Sequence, residues 1–328
     1  MIGVGVVGLG FMGRTHIAAY QALDADCRLV HVCDREAKRW TGELEATGNF
    51  GTASGRLFDP RVVRATAEPA DLFADPEVHL VSICTPTDSH VALALAALRA
   101  GKHVLVEKPV ALDAALVREL ARVAEQAGRL CMPAMCMRFW PGWDWLKDAI
   151  ADGKYGRVLS ATFQRLGSAP TWGKGFYDDM KRSGGALYDL HVHDTDFVVW
   201  CFGRPDAVRT VGSSLHMTTS YRFARGPAHV TAEGAWDLAP TAGFRMRYLV
   251  NFEHATADFD LARDPQLLLH GKLRSEPLPI AKTLGYEGQA REIVRAILSG
   301  RTDLRATLTQ AATVLDVLAE EHAQVAGL

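Results

Sequence analysis

Short apolar runs alternate with longer amphipathic segments along residues 1–132. The apolar runs lack polar alternation, which indicates strands buried on both faces of a parallel sheet, with the amphipathic segments as covering helices. We therefore predict an α/β fold with a doubly wound parallel sheet in this region. A glycine-rich segment at 48–66 predicts a loop that carries one short strand. The predicted strands are 3–7, 29–33, 80–84 and 103–106, and the predicted helices are 12–22, 89–100 and 113–127.

The pattern changes after residue 132, where polar and apolar residues alternate in strand-length runs separated by Gly, Pro and Asp. Alternation of this kind is typical of an antiparallel sheet with one covered face. We predict a second, α+β domain over residues 133–328, with a large, mainly antiparallel open sheet. Its predicted strands are 157–166, 207–216, 228–238, 244–252 and 255–261, and its predicted helices are 187–200, 288–299 and 305–323.

Composition excludes several classes of protein. Of the 328 residues, 48% are hydrophobic and 23% are charged, and the net charge of -2 gives no field that favours nucleic acid or an anionic membrane. We expect a small-molecule partner. The six cysteines include no CxxC pair, the N-terminus lacks the features of a secretory signal, and no apolar stretch could span a bilayer. These features predict a cytoplasmic protein.

Three glycines with GxGxxG spacing, Gly8, Gly10 and Gly13, follow the first predicted strand and precede the first predicted helix. In this context the first permits a tight turn, the second lets a pyrophosphate approach the backbone, and the third allows close helix–strand packing. The helix N-terminus favours an anion. The motif predicts a Rossmann dinucleotide-binding domain over residues 1–132, whose cofactor loop also contains Phe11 and Met12.

Asp34 ends the second predicted strand, where a carboxylate accepts hydrogen bonds from the adenosine ribose and repels a 2′-phosphate. This favours NAD as the cofactor. The adjacent Arg35 could instead bind a 2′-phosphate or lie over the adenine, so NADP stays an alternative.

Two further loops, CTPTDSH and VEKP, follow parallel strands at their carboxyl ends, where open α/β sheets bind ligands. Lys108 could hold a substrate hydroxyl and tune its pKa, or it could be a solvated lysine paired with Glu107. Thr85 and Thr87 could equally be turn and N-cap residues. The residues that we predict to face the cofactor from these loops are Thr85, Pro86, Thr87, His90, Glu107 and Lys108.

The segment GGALYDLHVHDTDF predicts a helix on which Asp189 and His193 share one face, because they are four positions apart. Histidine exchanges a proton near neutral pH, so His193 is a natural base for oxidation of an alcohol. One alternative is a purely structural pair. Another is a metal site with His191, but residues two apart on a helix point to nearly opposite sides, so we predict no metal.

Together, VVGLGFMGRTH, CTPTDSH, AGKHVLVEKP and GGALYDLHVHDTD resemble the Gfo/Idh/MocA family of sugar and polyol dehydrogenases over essentially the whole chain. The resemblance implies hydride transfer between NAD or NADP and a secondary alcohol or ketone of a sugar, polyol or inositol. It also implies a homodimer or homotetramer formed through the C-terminal sheet. The catalytic set that it implies is Lys108, Asp189 and His193.

The resemblance also concerns two further positions, and a tryptophan is a candidate because of its place in the chain. The family usually has glycine where this chain has His191, which either narrows the pocket or faces away from it. Arg138 matches a position that is often basic in relatives and would either bind substrate or join the domains. Trp172, in a glycine-rich loop before the catalytic helix, is a candidate sugar-stacking residue. Lys108, Arg138, Trp172, Asp189 and His193 thus form the predicted substrate-binding set.

Three other functions fit parts of the same pattern. A redox-neutral sugar-modifying enzyme would retain its NAD and cycle it, and a nicotinamide-binding sensor would have lost catalysis. The presence of Lys108, Asp189 and His193 argues against the sensor. A zinc hydrolase is the third possibility, and a metal assay on the purified protein tests it.

Overall fold

A computed structural model describes residues 1–43, 56–171 and 175–325 of the chain. Its backbone divides into two compact units, Met1–Cys136 with Leu284–Ala312 (unit 1) and Met137–Thr283 with Thr313–Leu328 (unit 2). The sequence-based boundary between residues 132 and 133 stays a prediction. In the part of the chain that the structure describes, no helix is long and apolar enough to cross a membrane.

The strands and helices are numbered here in chain order. The strands are β1 Ile2–Val7, β2 Cys27–Cys33, β3 Arg64–Thr66, β4 Leu80–Ile83, β5 His103–Val106, β6 Cys131–Pro133, β7 Val158–Leu166, β8 Ala207–Gly212, β9 His216–Arg222, β10 His229–Ala235, β11 Arg245–Phe252, β12 Thr256–Asp260, β13 Leu267–His270 and β14 Ser275–Pro277. The α-helices are α1 Phe11–Gln21, α2 Pro69–Ala74, α3 His90–Arg99, α4 Ala114–Ala127, α5 Trp143–Asp152, α6 Met180–Ser183, α7 Val192–Phe202, α8 Gly285–Ser299 and α9 Leu308–Val325.

Unit 1 is built on a parallel sheet with strand order β3-β2-β1-β4-β5-β6. Its central strands are fully buried, which agrees with their continuous apolar sequence. The strand order reverses between β1 and β4, and ligands bind at such switch points in doubly wound sheets. This confirms the predicted doubly wound sheet.

Helix α4 shows how local sequence sets the boundaries of these elements. The Asp113 carboxylate accepts the Ala115 N–H (2.8 Å) and caps the first turn. Gly128, with φ of 61°, ends the helix in the left-handed conformation that glycine adopts without strain. Val117 and Leu120 are buried on the apolar face, so the helix covers the sheet with one stripe of side chains.

Unit 2 contains an eight-stranded sheet with order β14-β13-β12-β11-β7-β10-β9-β8. All neighbours are antiparallel except β7 and β10, which confirms the predicted mainly antiparallel sheet. Its covered face packs on an aromatic cluster around Trp143 of α5. The Trp143 ring lies 4.8 Å from Phe197 of α7 and 5.3 Å from Tyr248 of β11, with both pairs edge to face.

Two sequence predictions about strands have specific outcomes. The prediction of a single strand over 207–216 was wrong, because the chain turns after Gly212 and β9 begins at His216. Gly212 has φ of 121°, and a Cβ there would lie 2.1 Å from the His216 carbonyl oxygen, so this turn requires glycine. The short strand predicted within 48–66 is β3, whereas residues 48–55 of that loop lie outside the described part of the chain.

Candidate active site

The glycine loop of unit 1 joins β1 to α1, and the lack of a side chain has a different effect at each of its three glycines. Gly8 has φ of 89°, in the left-handed region. A Cβ on Gly13 would lie 1.8 Å from the Gly8 carbonyl oxygen, so Gly13 permits the helix to pack against the strand end. A Cβ on Gly10 would meet no atom of the described residues within 4 Å. The space next to Gly10 is therefore open for a ligand.

The N-terminus of α1 lies in this loop. Gly10 occupies the N-cap position and has no side chain to cap the helix, and the first turn contains no acidic residue. The first turn contains Phe11 and Met12, and the N-terminal end of a helix favours an anion through its backbone N–H groups and its dipole. Both residues are half-buried.

Asp34 directly follows β2 and forms a hydrogen bond to the glycine loop. Its Oδ2 accepts the Leu9 N–H (2.7 Å), and its Oδ1 accepts the Glu36 N–H (2.8 Å). The Arg39 guanidinium also lies 3.1 Å from Oδ2. Each carboxylate oxygen can accept two hydrogen bonds, so Oδ1 keeps capacity for a ribose hydroxyl. Arg35 is exposed.

His90 joins the loop after β4 to the loop after β5. Its Nε2 lies 2.7 Å from the Thr85 carbonyl oxygen and its Nδ1 lies 2.9 Å from the Pro109 carbonyl oxygen. Burial lowers the pKa of His90, although both carbonyl groups favour the protonated ring. A neutral ring donates to one of these carbonyls at a time. Thr87 is also buried, while Thr85 is half-buried and Pro86 is exposed.

Glu107 and Lys108 follow β5. The Glu107 carboxylate is buried and points into unit 1, where its Oε2 accepts the Lys108 N–H (3.1 Å). Lys108 is half-buried, and its bond to Pro109 is cis. Unit 1 thus brings together the glycine loop, Asp34 and the two loops that carry Thr85 and Lys108: a Cβ on Gly8 would lie 2.7 Å from the Cys84 carbonyl and 3.1 Å from Thr85 Cγ2.

Asp189 and His193 belong to unit 2. Residues 183–199 are buried except for these two, which are half-buried. Asp189 lies in a π-helical turn, Leu187–His191, that leads directly into α7, which carries His193. Such turns are rare and occur frequently at functional sites. The predicted pair therefore shares the partly accessible side of an otherwise buried segment.

Two buried ion pairs hold α7 in unit 2. Arg165 of β7 donates to both oxygens of Asp194 through Nε (2.9 Å) and Nη2 (3.2 Å). Arg138 donates to Asp196 in the same bidentate way, through Nε (3.0 Å) and Nη2 (2.6 Å), and is only 1% exposed. Bidentate pairs fix orientation as well as charge, so these pairs orient the helix. Contact between Arg138 and substrate stays a prediction.

His191 points away from the side that carries His193. Its ring is fully buried, with Nε2 3.4 Å from both the Tyr221 hydroxyl and Glu321 Oε2. A Cβ on Gly234 of β10 would lie 2.9 Å from His191 Nδ1, so glycine there makes room for the ring. Among the described residues, no group of three or more His, Cys, Asp or Glu side chains is arranged to hold a metal ion.

Trp172 lies outside the described residues, so the structure gives no position for it. The sequence analysis did not identify the buried polar contacts near the predicted residues. These are the pairs that Asp194 and Asp196, on the helix of His193, form with arginines, and the contact of His16 with Glu107. A signal for the first two was present, because acidic residues within the apolar run LHVHDTDFVV require buried cations as partners.

Comparisons with known proteins identify the family. A model described as "Oxidoreductase family, NAD-binding Rossmann fold" matches residues 2–135, and the GFO/IDH/MocA C-terminal domain matches residues 143–260. The chain belongs to the Gfo/Idh/MocA oxidoreductase family. The resemblance drawn from its motifs is thereby confirmed, and with it NAD as the family's cofactor.

Inositol 2-dehydrogenase of Rhizobium meliloti (strain 1021) is 35% identical over 258 residues, which cover 78% of this chain and 70% of that protein. Myo-inositol 2-dehydrogenase of Thermotoga maritima is 29% identical over 202 residues, 61% of this chain and 54% of that protein. The structure of levoglucosan dehydrogenase in complex with NADH and levoglucosan has a TM-score of 0.83 at 20% identity, covering 99% of this chain and 97% of that one. The last comparison shows a shared fold.

The glycine loop of this family member fits a dinucleotide. The open space at Gly10 suits a pyrophosphate, the N-terminus of α1 offers N–H donors, and Asp34 Oδ1 can accept a ribose hydroxyl.

Proposed function

We propose that the protein is an NAD-dependent dehydrogenase or reductase acting on a secondary alcohol or ketone of a sugar, polyol or inositol. The observation that carries the proposal is the half-buried pair Asp189 and His193 in an otherwise buried segment. A carboxylate and an imidazole on one partly accessible face suit proton transfer to and from a bound hydroxyl. The names of its relatives, two inositol dehydrogenases, support a polyhydroxylated substrate.

In this proposal each residue of the catalytic set has one task. In the oxidative direction, an imidazole nitrogen of His193 accepts the hydroxyl proton. The Lys108 ammonium donates a hydrogen bond to the same oxygen and stabilises the negative charge that develops on it. Asp189 orients the imidazole or a neighbouring substrate hydroxyl. Bound NAD supplies the hydride acceptor.

The rigid environment of α7 supports the assignment of His193. The neighbouring Asp194 and Asp196 are each held by a buried arginine, so the helix has little freedom to rotate. A catalytic group gains most from a surrounding that fixes its direction before substrate arrives.

Substitution of Lys108 tests the proposed function. We expect Lys108→Ala to lower turnover by roughly 100-fold or more while changing the dissociation constant of NAD by only a few fold, because the lysine acts on the substrate oxygen. The exposed Lys272 provides a matched control, and Lys272→Ala should behave as wild type. Turnover that is unchanged in Lys108→Ala contradicts the assigned role.

We also propose that the protein forms a homodimer through the open face of the sheet in unit 2. On this face Leu249 is 46% exposed and Val211 is 57% exposed, and hydroxyl residues such as Thr162, which pairs with Leu249, lie between them. Burying such apolar side chains favours association. We expect Leu249→Asp to shift the protein to monomers in light scattering. An unchanged molar mass would contradict this interface.

We propose a cytoplasmic location on the basis of the cysteines. None of the six cysteines forms a disulfide bond, and five of them are buried. Proteins of oxidising compartments commonly pair their cysteines, whereas unpaired thiols persist where the environment is reducing. Fractionation of the source cells tests this, and recovery of the protein outside the cytoplasm would contradict it.

A further inference from the structure

A cluster of buried polar side chains lies inside unit 1, next to the loop that carries Lys108. We call His16, Ser82, Glu107 and Gln289 the His16 cluster. His16, on α1, is only 1% exposed. Its Nδ1 lies 2.7 Å from Ser82 Oγ on β4, and its Nε2 lies 2.8 Å from Glu107 Oε1. The imidazole therefore connects the helix of the glycine loop to the residue before Lys108.

The arrangement around His16 favours the doubly protonated ring. Nε2 faces a carboxylate, and Nδ1 faces a hydroxyl oxygen that can accept a hydrogen bond from the ring N–H. The Gln289 amide nitrogen lies 3.1 Å from His16 Nε2, while no described atom bonds its Oε1, so a half-turn of the amide presents its oxygen to the ring. Burial opposes the charge, but Cys84 and Glu107 outweigh it and raise the pKa of His16 to about 10.

Glu107 links His16 to the backbone of Lys108. Its Oε1 is held by His16, and its Oε2 accepts the backbone N–H of Lys108 at 3.1 Å. Burial raises the pKa of Glu107, yet its hydrogen bond to His16 and the charges of His16 and Lys108 bring that pKa below its usual range. The carboxylate is therefore held ionised and in one orientation at the base of the lysine.

We propose that His16 is a positioning residue for Lys108 and acts through Glu107. The proposal rests on the catalytic role proposed above for Lys108. Without the imidazolium, the effect of burial on the Glu107 carboxyl is less well opposed and its pKa rises, and a protonated Glu107 no longer offers the backbone at Lys108 a charged acceptor. Among the described residues of unit 1, the titratable and charged groups that face the pair include Tyr20, Cys84, His90 and Lys108.

The first experiment compares the pH profile of turnover for wild type and three variants: His16→Gln, Glu107→Gln and the double variant. In His16→Gln the pKa of Glu107 rises because the hydrogen bond and charge of His16 no longer oppose burial, so turnover should fall as pH falls, by roughly tenfold or more at the lowest pH tested. In Glu107→Gln and the double variant the loss should be the same at every pH between about 5 and 9, because no carboxyl remains to titrate. The dissociation constant of NAD should change by less than roughly threefold in all three.

The chain offers a matched control for a purely structural effect. His31 and Asp75 form another buried pair in unit 1, with Nδ1 2.9 Å from Oδ2. His31→Gln should reduce the stability of the fold, but it should not make turnover fall more than in wild type as pH is lowered. If His16→Gln lowers turnover by one factor at all pH values, as a structural substitution would, the positioning role is wrong.

A second readout does not depend on activity. Carbon NMR of the Glu107 carboxyl in the protein without cofactor should show titration at higher pH in His16→Gln than in wild type. Ser82→Ala, which removes only the Nδ1 partner, should shift it less in the same direction, and this variant serves if His16→Gln does not fold. An unmoved carboxyl titration overturns the inference. Unchanged turnover in Lys108→Ala would instead overturn the proposed function and leave the NMR result to stand by itself.

Discussion

Substitution of Gly10 by alanine separates a ligand-binding reason for glycine from a folding reason. Gly10 has φ of -68° and ψ of -163°, a conformation open to any residue, and its Cβ would meet no described atom within 4 Å. Gly13 is the opposite case, because a Cβ there would lie 1.8 Å from the Gly8 carbonyl oxygen. Nothing in the described polypeptide requires glycine at position 10, so we predict that a side chain there interferes with cofactor binding and not with folding.

The expected magnitudes follow from this geometry. Alanine at a compatible backbone position stabilises a protein by about 0.4–1 kcal/mol, whereas alanine is a poorer N-cap than glycine by a similar amount. The two effects offset, so the free energy of unfolding of Gly10→Ala should stay within about 0.5 kcal/mol of wild type. Loss of one phosphate hydrogen bond, about 1.5–3 kcal/mol, should weaken NAD binding by roughly 10- to 100-fold.

Two measurements separate an effect of Gly10→Ala on folding from an effect on NAD binding. Thermal unfolding without cofactor should give Gly10→Ala a Tm within about 2 °C of wild type, and a fluorescence titration should show the weakened NAD binding. Gly13→Ala is the matched control, and it should lose stability before any cofactor is added. Wild-type affinity in a folded Gly10→Ala protein would refute the placement of the pyrophosphate. Unfolding of that variant would refute the open space at Gly10.

Three further predictions follow from other contacts. Asp34→Ala should lower the preference for NAD over NADP, and an unchanged ratio of the two kcat/KM values would count against the ribose contact. Arg138→Leu should cost about 3–5 kcal/mol of unfolding free energy in urea, because it leaves Asp196 charged and buried; a loss below about 1 kcal/mol would contradict the buried pair. The pKa of His16 is raised from an ordinary 6.5 to about 10. The protonated ring therefore contributes its full stabilisation of the fold below about pH 6.5, and this contribution is lost as pH rises through about 10. The stability difference between wild type and His16→Gln should therefore shrink over that interval, and a constant difference would disagree.

The cofactor loop could be predicted from sequence because its determinants are local. Gly8, Gly10 and Gly13 act within one turn, and the continuous apolar run of β1 precedes them directly. The partial exposure of both Asp189 and His193 agrees with their spacing of four positions, which predicts one helical face, and their catalytic role stays a prediction. The π-helical turn that contains Asp189 could not be predicted, because a shift of one residue in the backbone hydrogen bonds does not change the pattern of apolar and polar residues.

Partners distant in the chain could not be predicted. His16 meets Glu107 and Gln289, which lie 91 and 273 residues away, and no pattern specifies which buried polar groups will meet. The same holds for the sheet of unit 2, where β7 pairs with β10 and β11. The turn after Gly212 was missed although the sequence GSS indicated it, because alternation continued across it.

Formation of reduced nicotinamide tests the proposed dehydrogenase activity directly. Inositols, aldoses, polyols and their keto forms would be added to wild type and Lys108→Ala with NAD, and absorbance of the reduced cofactor followed. At least one compound should be oxidised by wild type, with the rate lowered roughly 100-fold or more in Lys108→Ala. NAD that binds but is reduced by no compound in the panel, or equal rates in both proteins, would contradict it.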